Sequence, residues 1–167
     1  MKPKFLVTFL IFIVFVTSCS KTTPAGFWTT FHKDRLVKNI CDQGPRGGHQ
    51  ELYWKATTKN SFTRVRLIEF AEQNGWQLVD STSFPADTLK KWHNKKQTFP
   101  FTYTDFADKS MNTATFPRWI TSDIKLYRFK TGWIAVEPGN ARETENNGYI
   151  LLNLDGTEFS VYHLWGE

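Results

Sequence analysis

The sequence is short of the residues and patterns that announce a chemistry. It has two cysteines, Cys19 and Cys41, and four histidines, His32, His49, His93 and His163, among 167 residues. No Gly-x-Ser-x-Gly elbow occurs, no histidine pair at i and i+4 brackets a glutamate, and no spacing suits a metal, so neither a motif-borne hydrolase nor a metal site is expected. The loop Asp42-Gln43-Gly44-Pro45-Arg46-Gly47-Gly48 is glycine-rich, but it lacks the Lys-Ser/Thr ending and the following helix of a phosphate loop and reads as a connection. Asp80, Asp87, Asp105, Asp108 and Asp123 are scattered and define no glycosidase pair. There is no internal repeat and no cofactor signature. Beyond the first residues, apolar stretches such as 133–136 and 150–152 are far shorter than the roughly 20 residues that cross a bilayer.

What is present starts at the first residue. Met1-Lys2-Pro3-Lys4 is a short positive stretch, and residues 5–16 form an apolar run of twelve in which only Thr8 is polar. A run of that length behind basic residues has the form of an export signal, not of a membrane span. It ends in Val16-Thr17-Ser18-Cys19, which resembles the lipobox of bacterial lipoproteins: an aliphatic residue, two small residues, then the cysteine that is diacylated and becomes the new first residue. The resemblance covers residues 1–20 and implies a signal peptide over 1–18 and a lipid anchor on Cys19. In a Gram-negative host, Ser20 in place of Asp after that cysteine implies sorting to the outer membrane. Each buried methylene contributes about 0.8 kcal/mol, so the acyl chains on one sulfur hold a protein at a bilayer without a transmembrane helix.

Removing residues 1–18 leaves 149 of the 167, the size of one domain. Lys2 and Lys4 leave with the signal, so the net charge falls from +5 to +3. That modest charge is spread along the chain, which, with an exported address, argues against a nucleic-acid partner. The dense basic cluster is Lys90-Lys91-Trp92-His93-Asn94-Lys95-Lys96. It reads first as a solvated face. Lys90, Lys91, Trp92, Lys95 and Lys96 are also the candidate contacts for an anionic partner, whether lipid headgroups, wall polymer or an acidic protein.

If Cys19 carries lipid, Cys41 has no partner for an internal disulfide. Val37, Ile40 and Cys41 fall on one face at helical spacing, so residues 27–41 are expected to hold a helix over their later part with Cys41 buried and inert near its end. A helix end disfavours a thiolate, which weakens the case for a cysteine hydrolase.

Residues 19–26 read as the lipidated cysteine and a flexible tether, and 27–167 as one domain. Leu52, Trp54 and Ala56 alternate with Tyr53, Lys55 and Thr57, the period of a strand. Ser61 is placed to cap a helix with Leu67, Phe70, Ala71 and Asn74 on one side and Arg66, Glu69, Glu72 and Gln73 on the other, stopping at Gly75. Residues 76–82 read as a strand that completes a strand-helix-strand unit, and a second helix opens near 83–87 with Leu89 and Trp92 as its inward side and His93 a further candidate for it. Residues 97–120 are aromatic and turn-rich and have no assignment. Four strands are predicted at 124–130, 133–136, 149–154 and 157–165, with turns at Thr131-Gly132 and Asp155-Gly156. The expected fold is α+β: an antiparallel sheet with a C-terminal meander and one or two helices on one face.

There are seven Trp, five Tyr and fifteen Phe; several Phe belong to the signal, and the other rings are first of all core residues. Exposed rings would serve a protein interface or stack on sugars. By address and elimination, the leading expectation is a non-catalytic envelope module that binds a protein, such as an exported toxin or hydrolase it neutralises. A glycan or wall-polymer binder comes second, and a Cys41 hydrolase last.

Overall fold

The computed structural model describes residues 23–93, 119–136 and 143–166. Apolar side chains at both odd and even positions of several strands demand a sheet covered on both faces, and that is the arrangement found. The strands are β1 (Leu36–Gln43), β2 (Gly47–Lys55), β3 (Gln77–Phe84), β4 (Ile124–Lys130), β5 (Ala135–Val136), β6 (Glu143–Thr144), β7 (Gly148–Asn153) and β8 (Glu158–Gly166). Their order is β1-β2-β8-β7-β4-β3, with every neighbouring pair antiparallel; β5 joins β6 and touches the end of β8 by one parallel bridge. Two helices, α1 (Arg64–Gln73) and α2 (Ala86–His93), complete an α+β fold of the expected kind. β2, α1 and β3 form the strand-helix-strand run, although β8, β7 and β4 lie between its two strands.

On one face Leu52, Trp54, Phe129, Ile150, Phe159 and Val161 pack under α1 and the 3-10 turn Gly26–Thr30. On the other, Tyr53, Leu126, Tyr149, Leu151 and Tyr162 pack with Leu89 of α2 and with Ile120. α1 is amphipathic as the spacing predicts: Leu67 and Ala71 are buried, Arg66, Glu69, Glu72 and Gln73 are exposed, and Gly75 stops it in the left-handed region at φ +87°. Its cap differs from expectation. Thr63 precedes the helix without a side-chain bond, and the Ser61 hydroxyl donates instead to the Thr58 carbonyl at 2.6 Å. Asn74 is exposed, its amide donating to the Phe70 carbonyl at 2.8 Å. α2 is capped from a distance, the Ala86 N–H donating to Asp123 Oδ1 at 2.7 Å, and His93 at its end is exposed.

A bulge between Leu78 and Asp80 lets β3 serve both faces. Leu78 pairs with Phe129 on the α1 side, whereas Asp80, Thr82 and Phe84 pair with Arg128, Leu126 and Ile124 on the other.

The start of the domain departs most from expectation. Residues 27–41 do not form a helix; two 3-10 turns, Gly26–Thr30 and Lys33–Arg35, lead into β1. The i, i+3, i+4 spacing of Val37, Ile40 and Cys41 is incidental, because nothing covers such a stripe: every residue from Val37 to Gln43 is exposed, and Cys41 with them. Pairing with β2 through the Gly44–Gly47 turn supplies what a helix could not. The end of the proposed tether is also folded. Ala25 is fully buried, and the Thr23 hydroxyl donates to Gln50 Oε1 at 2.9 Å.

The 3-10 segment is pinned by the Trp54 indole N–H, which donates to the Phe31 carbonyl at 2.8 Å. Phe159 stacks on Trp54 with centroids 4.2 Å apart and meets Phe62 edge-on at 4.8 Å. Phe159→Ala removes this junction and should cost about 3–5 kcal/mol, read as a lowered midpoint of urea unfolding.

Candidate functional site: a braced apolar turn

Trp133 and Ile134, just after β4, are 50% and 47% exposed, and Trp133 is the one exposed Trp, Tyr or Phe among the described side chains. An exposed tryptophan beside an exposed isoleucine loses contact with apolar groups unless something binds there.

The turn beneath them is held by buried polar groups. Gly132 takes φ +76°, reversing the chain after Thr131. The Thr131 N–H donates to the Glu145 carbonyl at 2.9 Å, and its hydroxyl oxygen accepts the Trp133 N–H at 3.2 Å. The Asn147 amide donates to the Trp133 carbonyl at 2.6 Å, and the Gly166 N–H donates to the Ile134 carbonyl at 2.8 Å. Segments far apart in sequence thus fix the backbone on both sides of the exposed pair.

Proton accounting sets the state of the histidine below. Because Asn147 Nδ2 donates to Trp133, its Oδ1 is turned to Thr131 and accepts that hydroxyl's single proton. His163 Nε2, 3.1 Å from Thr131 Oγ1, must then donate to it, which assigns the Nε2–H tautomer and leaves Nδ1 a bare, buried lone pair. Protonating Nδ1 would create a donor with no acceptor among the described residues. His163 is fully buried, with Trp165 at 5.3 Å and Trp76 at 5.4 Å between ring centroids, and burial holds its pKa down to about 3. Gly148, paired with His163, makes the room: a Cβ there would lie 2.8 Å from the Trp76 ring.

The residues singled out in the sequence fare differently. Cys41 is exposed, and burial by its surroundings followed by the Asp42 charge pushes its thiol pKa up, so the thiolate is disfavoured for a reason other than a helix end. Its neighbour across the strand pair is Gln50, so Cys41 and His49 project from opposite faces and form no nucleophile-base pair. His49 Nε2 instead lies 3.3 Å from Glu51 Oε1. Asp80 pairs with Arg128 at 2.7 Å and Asp87 with Lys90 at 3.6 Å, while Asp105 and Asp108 lie outside the described residues. Lys90 and Lys91 are exposed on α2; Lys95, Lys96, Cys19 and the Trp92 side chain lie outside the described residues. No group of three metal-binding side chains occurs among the described residues.

Shallow clefts are present among the described residues. One, of about 370 Å³, is lined by Thr23, Phe27, Asn39, Cys41 and Gln50. Another, of about 260 Å³, is lined by Arg64, Lys125 and Tyr127 among others. Burial raises the Tyr127 pKa despite the opposing Arg64 charge, so the phenol is neutral there. The buried network under Trp133 was not foreseen from the sequence; the signal for it, polar residues in a turn flanked by strong strands, is one that most surface turns share. Compared with known proteins, the chain matches no family model, no curated protein and no solved structure.

The unfolded chain takes up a proton at His163 below about pH 6.5, but the native state does so only near pH 3. Stability therefore falls with pH across that window, by up to about 1.4 kcal/mol per unit from this one group. His163→Gln keeps a donor for Thr131 and removes the titration. The stability advantage of the wild type over this variant should shrink as pH is lowered from 7 to 4 in urea unfolding; an advantage independent of pH would refute a neutral buried imidazole.

Proposed function

We propose that this chain is an envelope lipoprotein, held at the membrane by acyl chains on Cys19, whose folded part binds a protein partner through the Trp133–Ile134 turn and catalyses no reaction. The observation that carries this reading is the pairing of an exposed Trp and Ile with a backbone fixed from beneath. Tryptophan is prominent among the residues that dominate protein interfaces, and a turn that is already rigid loses little freedom on binding. The fate of the other rings supports a protein over a sugar. Among the described residues Trp28, Trp54, Trp76 and Trp165 are interior and Trp133 is the one exposed ring, beside an aliphatic side chain, a shape that suits an apolar pocket better than a row of sugar faces.

Support for the anchor comes from the basic start, the apolar run and Val16-Thr17-Ser18-Cys19. Packing begins by Ala25, so few residues lie between Cys19 and the domain, and a partner would be captured close to the bilayer surface. In a Gram-negative host Ser20 directs the protein to the outer membrane. The partner that fits this address is an exported protein, such as a toxin or hydrolase that the lipoprotein neutralises.

The test is affinity capture from detergent-solubilised envelope. The wild-type chain should retain a defined protein in stoichiometric amount, and Trp133→Ser should weaken retention by about 30-fold or more, the loss of one hot-spot residue, without lowering thermal stability. Recovery of wall fragments with no specific protein, or retention unaffected by Trp133→Ser, would sink the reading. Mass analysis of the purified chain should find Cys19 as its first residue, carrying the mass of its acyl groups.

A further inference from the structure

β1 is the outermost strand on its side of the described sheet, and its residues Val37 to Gln43 are exposed. Which of its backbone groups face outward follows from the hairpin. The Gly44 N–H donates to the Gly47 carbonyl at 2.7 Å, and the Asp42 carbonyl is aimed at Gly48 so closely that no Cβ could stand there. Lys38, Ile40 and Asp42 therefore turn their N–H and C=O groups toward β2, and ladder alternation turns those of Asn39, Cys41 and Gln43 away from it. A bulge between Leu36 and Lys38 ends the regular edge. What is left is a straight five-residue rim from Lys38 to Asp42.

We propose that this rim pairs antiparallel with the same rim of a second copy, about a twofold axis through Ile40 and perpendicular to the sheet. Lys38, Ile40 and Asp42 project on one face, in the order cation, apolar, anion. Reversed, that order is its own complement. Lys38 meets Asp42 of the second copy twice, Ile40 meets Ile40, and Asn39 meets Cys41. Outward groups meet outward groups, so Asn39 and Cys41 of the two copies exchange ladder hydrogen bonds. Moving the axis by one residue to Cys41 would set Ile40 against Asp42 and leave Lys38 without an opposite charge. An unrelated strand would match this order only by chance.

The rim is short, so the pairing needs a high local concentration, and an anchored chain has one. This point rests on the lipoprotein reading. The N-terminal segment lies beside β1 on the face of Asn39 and Cys41, where Thr23 and Phe27 line the same cleft as those two residues. The twofold puts that face of both copies on one side, and both anchors then enter one bilayer.

Oxidative crosslinking of the full chain in isolated membranes tests the register. In an Ile40→Cys, Cys41→Ser chain the two introduced thiols face each other across a non-hydrogen-bonded pair with Cα atoms about 4.5 Å apart, within disulfide reach. In the wild type the two Cys41 Cα atoms would be about 9 Å apart, beyond it. The double variant should therefore give a dimer on a non-reducing gel where the wild type gives little. Adding Lys38→Asp turns two attractive pairs into two repulsive ones and should cut the yield about fivefold or more, and adding Asp42→Lys as well should restore it. Wild-type crosslinking as strong as that of the variant, or a yield indifferent to the charge reversal and its reversal, would overturn the pairing. Cys41→Ser alone retains only Cys19; a dimer formed by that chain would sink the acyl anchor, and the increment caused by Ile40→Cys would still report on β1.

Discussion

The rest of the structure depends on β8 being buried from both sides. It lies between β2 and β7, and of its nine residues six are buried. Phe159, Val161, His163 and Trp165 project to the α1 face, and Ser160, Tyr162 and Leu164 to the other. A strand in that position needs a cover on each face, and the chain supplies them from different stretches of its sequence. The N-terminal turn brings Trp28 and Phe31 to one face with α1, while α2 and the segment at Trp119 and Ile120 reach the other. The Trp54–Phe159 stack lies where the first cover meets the sheet. Loss of that contact would loosen the N-terminal turn along with the core.

Burial on both sides has a consequence for polar residues. Alternation along β8 carries Ser160 and His163 into the interior, where the Ser160 hydroxyl and His163 Nδ1 have no hydrogen-bond partner among the described residues. Unmet polar groups of this kind cost about 1–3 kcal/mol each. His163 offsets part of that through Nε2, by joining Thr131 and Asn147 in a network that spans the ends of β4, β7 and β8. The same network fixes the turn carrying Trp133 and Ile134. A cost incurred in the core is thereby linked to rigidity at the surface, and the link runs through one proton position on one imidazole ring.

Strongly patterned local stretches were legible in the sequence, and relations between distant stretches were not. β4 falls on the predicted residues, β7 and β8 within one residue at each end, and Gly75 and Gly156 take the positive φ their turns require. Those features depend on neighbours a few positions apart. β1 stands where a helix is expected because Val37, Ile40 and Cys41 satisfy helical spacing by accident, and the deciding factor, a pairing partner in β2 and no cover among the described residues for an apolar stripe, lies outside the window in which periodicity is judged. The bulge at Val79, which moves β3 from one face to the other, is invisible for the same reason: Leu78, Val79 and Asp80 carry no mark of it. Thr131, Asn147 and His163 are 16 to 32 positions apart and ordinary in their local contexts, and only folding brings them together.

Covering both faces also decides where this protein can be touched. Apolar side chains fill the sheet faces, so those left outside lie chiefly on the rim: Val37 and Ile40 on β1, Val79 on β3, Trp133 and Ile134 in one turn and Leu154 in another, with Val65 of α1 the exception. The two rims differ in kind. β3 carries a bulge and ties Asp80 to Arg128 of β4, which twists its edge and commits its charge inward. β1 keeps five regular residues with Lys38 and Asp42 at opposite ends of the run and an apolar residue between them. An edge protected against indiscriminate pairing would carry like charges or a bulge at its centre. β1 has neither, and its order of charges admits a strand running the opposite way in one register while penalising a shifted one. Among the described residues the sheet faces are used by the protein's own core, so exposed apolar groups gather at edges and turns, with Ile40 at the centre of the β1 rim and Trp133 in a braced turn.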